Sequence, residues 1–320
     1  MNKQRQFTYQ TPPGQTVPVQ ELLKANGYSR RLITHIKQLP NGLLLNGNPV
    51  SATKMAESGD ILTVTLPPET PSAAVTPTPM KISIIYEDED LMVINKAADM
   101  PIHPSQGNHG NSLANGMAWY FSQKGEPFTF RAINRLDRDT TGLLILAKHA
   151  LSASILSNMI SEQKIHRTYL AAVSGDLRAM AAKTLPGLYC PDPESGVISA
   201  PIARAEGSAI RREINFSYGE KAVTRYHVLG FQEDLDLSMA ELELETGRTH
   251  QIRVHFQYLG FPLLGDFLYN PDYRLINRQS LHSWKLSFPH PITKEPLAFT
   301  AAVPDDMKRF TDGVLSDNDS

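Results

Sequence analysis

Between Pro67 and Pro79 the chain places five prolines among Ser, Thr and Ala. Proline lacks a backbone N–H and has a fixed φ, so this stretch cannot be a helix interior or an inner sheet strand. It reads as an extended linker over residues 67–80. The 320-residue chain then divides into a small N-terminal domain, 1–66, and a larger one, 81–304. Pro304 to Ser320 holds five Asp against two basic residues, and an acidic tail over 305–320 is expected to be disordered.

A single cysteine, Cys190, excludes an intrachain disulfide and a cysteine-built zinc site. It fits a reducing compartment. Met1 to Gln10 is polar, without the apolar core of a signal peptide. Apolar runs such as Leu143 to Ala147 fall far short of the ~20 residues needed to span a bilayer. A cytoplasmic protein that does not enter a membrane is expected. The net charge of -2 gives no hint of nucleic acid, but residues 1–66 hold seven Lys/Arg against three Asp/Glu. A basic head of this kind is a weak footprint of phosphate binding, and equally common as an ordinary solvated surface.

In the N-terminal domain Val19, Leu22 and Leu23 are spaced for one helix face, and Leu32, Ile33, Ile36 and Leu39 for a second. Ser29 can cap the second helix. Strand-like segments Leu43–Asn46 and Ile61–Leu66 follow, with turn chemistry at Asn46-Gly47 and Ser58-Gly59. Through Tyr28-Ser29-Arg30-Arg31-Leu32-Ile33, Ile36-Lys37, Leu45-Asn46-Gly47 and Gly59-Asp60, this stretch resembles an S4-type RNA-binding domain. The resemblance implies that Arg30, Arg31 and Lys37 meet RNA phosphates, contacts that position a protein without reading sequence.

The larger domain reads as α+β, with a large mixed or antiparallel sheet and flanking helices. Three constellations stand out. The first runs from Asn134-Arg135-Leu136-Asp137-Arg138-Asp139-Thr140-Thr141-Gly142 into the apolar Leu143–Ala147. Its polar residues form a loop before a buried strand, where catalytic groups tend to sit. An acid between two arginines is favoured in its charged form. The second is Arg167-Thr168-Tyr169, in which Tyr169 shares a strand face with Ala171 and Val173. These small neighbours leave its ring free as a platform for a flat base. The third is Thr246-Gly247-Arg248-Thr249-His250-Gln251-Ile252-Arg253. Thr249 reads as a helix N-cap and Gly260 as the residue that ends the helix. Ile252, Phe256 and Leu259 make a buried face, leaving Arg253 off it and free to meet a carboxylate.

Taken together, in this order, these motifs resemble the RluA-type pseudouridine synthases. Tyr86-Glu87-Asp88, Asn95-Lys96, Met100-Pro101, His103-Pro104 and the later Gly219, Ala222 and Thr224 extend the resemblance to about residues 15–300. It implies a pseudouridine synthase fold and isomerisation of uridine in structured RNA, ribosomal RNA more than transfer RNA given the S4-like domain. Asp137 would be the essential carboxylate, acting by covalent attack or by proton abstraction from ribose. Arg253 would pair with it, Tyr169 would stack on the target base, and Arg135 would enter the gap left by the extruded base. Thr140, Arg248, His250 and Gln251 would brace the site. The isomerisation has no redox step and no net hydrolysis, so no cofactor and no metal are implied, and a monomer is the default. Asn134, Thr141, Ala97 and Asp99 depart from the family's usual His, Ser, Pro and Gly.

Two other readings exist. Asp137-x-Asp139-x-Thr141 matches the signature of haloacid-dehalogenase-type phosphatases, but that signature follows an apolar strand and needs magnesium, and Arg131–Leu136 is too polar. A catalytically inactive RNA chaperone is the second, and the retained acid, tyrosine and arginine argue against it.

Overall fold

An unbroken apolar run such as Leu143–Ala147 needs cover on both faces. In the computed structural model, which describes residues 4–105 and 107–315, it lies within the strand Thr141–Ala147, buried at every residue. Lys3 of the basic head and residues 316–320 of the acidic tail are outside the described residues. The strand belongs to a ten-stranded sheet. Its order is Leu188–Tyr189, Ser195–Ser199, Val223–Gln232, Leu237–Leu244, His166–Ser174, Leu281–Pro289, Thr141–Ala147, Leu91–Lys96, Ser83–Glu87, with Pro296–Thr300 also on Leu281–Pro289. Pairing among the described strands is antiparallel except between Leu281–Pro289 and Thr141–Ala147. At that junction a Cβ on Gly142 would stand 2.1 Å from the Ser283 carbonyl oxygen, and its φ is 105°. Only glycine fits there.

The shared strand face expected for Tyr169, Ala171 and Val173 is observed in the strand His166–Ser174. Tyr169, Ala171 and Val173 enter one apolar cluster with Ile252, Phe256 and Leu259 of the helix Gln251–Leu259. Leu170 and Ala172 enter another with Trp284, Met307 and Phe310. The expectation of a disordered tail is therefore wrong for its first part. Asp305–Thr311 is a helix, with Met307 and Phe310 fully buried. Two apolar residues at i and i+3 cover the sheet, while Asp305 and Asp306 suit the positive end of the helix dipole.

In the N-terminal domain the helices are Val19–Ala25 and Arg30–Ile36, and Ser29 Oγ accepts from the Leu32 N–H at 3.2 Å. A four-stranded sheet runs Gln6–Gln10, Ile61–Thr65, Leu43–Leu45, Asn48–Pro49. Residues 67–80 contain no helix or strand, yet they are fastened down. Thr70 and Thr129 exchange two hydrogen bonds, and Glu69 pairs with Arg131 at 2.7 Å. The N-terminal domain shares one apolar cluster with the helix Ala150–Ser161, whose Ser154 Oγ donates to the Gly27 carbonyl at 2.7 Å. Among the described residues, no helix is long and apolar enough to cross a membrane.

Candidate active site

The loop carrying Asp137 is pinned at several points. Asn134 Oδ1 accepts from the Ile145 N–H at 2.8 Å, so this departure from the family pattern stitches the loop to the strand behind it. The Thr140 N–H donates to the Asp137 carbonyl at 3.1 Å, and Thr140 Oγ1 accepts from Gln279 at 3.2 Å. Lys96 is buried and donates to the carbonyls of Ala97, Met100 and Arg138 at 2.7, 3.0 and 2.8 Å. These three acceptors match the three protons of its ammonium. Burial nevertheless pushes its pKa down to about 7, against the pull of Asp139 and Asp137. Asp99 stands at φ 54°, the left-handed region that the family's glycine there adopts freely and Asp tolerates better than most.

Neither arginine beside Asp137 in the sequence pairs with it. Arg135 is exposed and makes no ion pair among the described residues, and Arg138 pairs with Asp139 at 3.3 Å and Asp99 at 3.5 Å. The partner is Arg253, 1% exposed, whose Nη1 donates to Asp137 Oδ2 at 2.8 Å. Its Nε and Nη2 donate to the two oxygens of Asp266 at 2.6 and 2.7 Å. The rings of Phe267 and Tyr269 flank the guanidinium, with centroids 5.3 and 5.2 Å from Cζ. Burial works against the charge on Arg253. The hydrogen bonds and charges of Asp266 and Asp137 more than offset it, so its pKa rises.

The helix Gln251–Leu259 begins without the expected Thr249 cap. Its N-cap is His250, at φ 59° with no side-chain cap bond. The turn is closed instead by Gln251, whose Oε1 accepts from Thr246 Oγ1 at 2.8 Å and the Arg248 N–H at 3.0 Å. Gln251 Nε2 donates to the Val223 carbonyl and Thr224 Oγ1 at 2.9 and 3.0 Å. His250 Nδ1 lies 3.2 Å from the Tyr269 hydroxyl, and its Nε2 is 3.9 Å from Asp137 Oδ2. Burial pushes the His250 pKa down despite Asp137, so the ring is neutral near pH 7 and adds no second cation beside the carboxylate. Arg248 is exposed and pairs with Glu220 at 2.6 Å. Gly260 ends the helix at φ 84°, as expected.

Tyr169 is 3% exposed, and burial pushes its phenol up, so it stays protonated. Asp137, Tyr169, Arg253, Arg135, Thr140, Arg248, His250 and Gln251 all line one cavity of about 50 Å³. It opens beside a cleft of about 860 Å³ that shares Arg135, Asp137, Tyr169 and Arg248. Arg30, Arg31 and Lys37 are exposed in the N-terminal domain and line neither. Lys96 lies in the Asn95-Lys96 pair and Asp266 lies beyond the third motif, and the sequence motifs assign neither a role. Asp88, Asp90 and His290 offer ligand atoms within 4.8 Å of one another. Their oxygens are already taken by Tyr86, Arg5, His149 and His290, and none of the three lines the cleft.

The mixed sheet, the cleft against its face and an arginine-held carboxylate in a loop define an RNA-modifying isomerase once the likeness to known proteins is added. Residues 90–258 match the family described as RNA pseudouridylate synthase. The chain is 39% identical to the uncharacterized RNA pseudouridine synthase YjbO of Bacillus subtilis (strain 168), covering 92% of this chain and 98% of that one. It is 35% identical to the ribosomal large subunit pseudouridine synthase D of Vibrio cholerae, over 74% of this chain and 72% of the other. The structure of human RNA pseudouridylate synthase domain containing 1 superposes with a TM-score of 0.54 at 26% identity, over 69% of this chain and 83% of the human one. The chain belongs to the RNA pseudouridylate synthase family, as its motif order implied, and it isomerises uridine to pseudouridine in RNA.

Proposed function

We propose that the uridine lies in structured ribosomal RNA and that Asp137 is the essential carboxylate. The observation that carries this is the ion pair of Asp137 with buried Arg253 in a cavity also lined by Tyr169. An oriented, charged oxygen next to an aromatic wall is what glycosidic bond cleavage and reattachment of a uracil require. The oxygen either adds to the nucleoside or removes a ribose proton, and the protonated Tyr169 offers a stacking face. Exposed and without an ion pair among the described residues, Arg135 suits insertion where the base leaves the RNA stack, since a guanidinium stacks and keeps its charge. The name of the Vibrio relative favours ribosomal RNA. The S4-like domain, with Arg30, Arg31 and Lys37 exposed and free of ion pairs among the described residues, would add phosphate contacts. A cytoplasmic monomer is part of the same reading.

The test is Asp137→Asn, mapped for pseudouridine in RNA from cells lacking the gene and complemented with either form. The wild type should restore a ribosomal pseudouridine that the variant does not, while RNA affinity of the variant stays within about threefold. Equal restoration by both forms would remove Asp137 from the chemistry. A gain confined to transfer RNA would correct the substrate.

A further inference from the structure

Arg167 precedes Tyr169 by two residues in the strand His166–Ser174, so both side chains leave the same face. It lines the large cleft and also a smaller cavity of about 270 Å³ that continues past Gln163 and Glu245. Its Nη1 lies 3.6 Å from where a Cβ on Gly247 would stand. The guanidinium therefore reaches from the strand to the loop that begins the helix of Arg253. Neighbouring arginines are neutralised: Arg138 by Asp139 and Asp99, Arg248 by Glu220, Arg225 by Glu245. Arg167 makes no ion pair or side-chain hydrogen bond among the described residues, and its Nε is buried without an acceptor. A buried N–H left unpaired is unfavourable and rare in native proteins.

We propose that Arg167 is a phosphate-binding residue, taking the phosphodiester beside the uridine held at Tyr169. This rests on the reading that the cleft receives the target uridine. A guanidinium presents forked N–H donors that match phosphate oxygens. With Arg135 on the rim and Arg167 on the wall, two cations without ion pairs among the described residues bracket the position of the target nucleotide. The RNA strand then leaves through the smaller cavity. Arg167 fixes register and contributes to binding without taking part in bond cleavage.

The test compares wild type, Arg167→Met and Arg167→Lys on large-subunit ribosomal RNA transcribed in vitro, by filter binding across salt concentrations and by steady-state conversion. Arg167→Met should weaken binding about tenfold and make the log–log salt dependence shallower by about one, with kcat at saturating RNA within about twofold. Arg167→Lys should recover the salt slope and part of the affinity. Unchanged affinity and slope overturn the proposal, and so does a loss of kcat alone. If the wild type forms no pseudouridine in this RNA, the substrate reading fails while the binding comparison still reads the phosphate site. If neither variant folds, wild-type crystals grown with a uridine trinucleotide decide it. A phosphate oxygen should hydrogen-bond Arg167 Nε, and a trinucleotide bound without that contact overturns the assignment.

Discussion

Asp266 takes two of the guanidinium nitrogens of Arg253 and leaves only Nη1 for Asp137, at 2.8 Å. The inner acid, 0% exposed, thus aims the arginine, and the arginine aims the outer acid. Arg253→Lys should lower kcat about 10²-fold, because one ammonium cannot reproduce the forked geometry and a small misplacement is costly. Asp266→Asn should do the same and also destabilise the fold by about 3–5 kcal/mol, having broken a buried pair. Urea denaturation and steady-state conversion measure the two effects. An Asp266→Asn enzyme with full kcat would contradict the relay.

The acid limb of stability should report two buried imidazoles. Burial pushes His255 and His282 down to about 4. His255 is held neutral between Thr224 Oγ1 and the Ala200 carbonyl, and His282 Nδ1 lies 2.8 Å from Thr141 Oγ1. Their unfolded value is about 6.5, so between pH 6.5 and 4 the unfolded chain binds more protons than the folded one. Their contribution is full above 6.5 and is lost as pH falls through that window. Melting temperature measured from pH 7 to 4 should drop, and His255→Gln should flatten the decline. An identical acid limb in the variant would contradict this.

Phe310 and Met307 are fully buried at the end of the chain. Phe310→Ala should destabilise by about 3–5 kcal/mol, seen as a lower urea midpoint. A tail that contributes nothing would leave the midpoint unchanged.

Gly142→Ala tests the parallel junction behind the active loop. The added methyl meets the Ser283 backbone at 2.1 Å and φ is positive. The variant should lose more than about 4 kcal/mol or fail to accumulate as soluble protein. Wild-type melting behaviour would mean the two strands can separate at little cost.

Much of the site was readable because its motifs are local. Asp137, Tyr169 and Arg253 each sit in a short segment with its own spacing, and the helix face of Ile252, Phe256 and Leu259 follows from periodicity. The helix start was misread because Gln251, not Thr249, closes the turn. That bond turns on side-chain direction, which spacing does not reveal. Adjacency in the chain does not decide the ion pairing: Arg138 pairs with Asp139 and Asp99, and Asp137 with Arg253.

The sequence by itself determined, through motif order, the family and the reaction class. Tertiary structure alone decided that Asp266 holds Arg253, and that Arg167 makes no ion pair among the described residues. It also placed the acidic tail's helix on the sheet and the N-terminal domain on the helix Ala150–Ser161. The physical reason is the same in each case. Periodicity and turn chemistry act over a few residues, whereas ion pairing and apolar cover depend on which surfaces the folded sheet brings within a few ångströms.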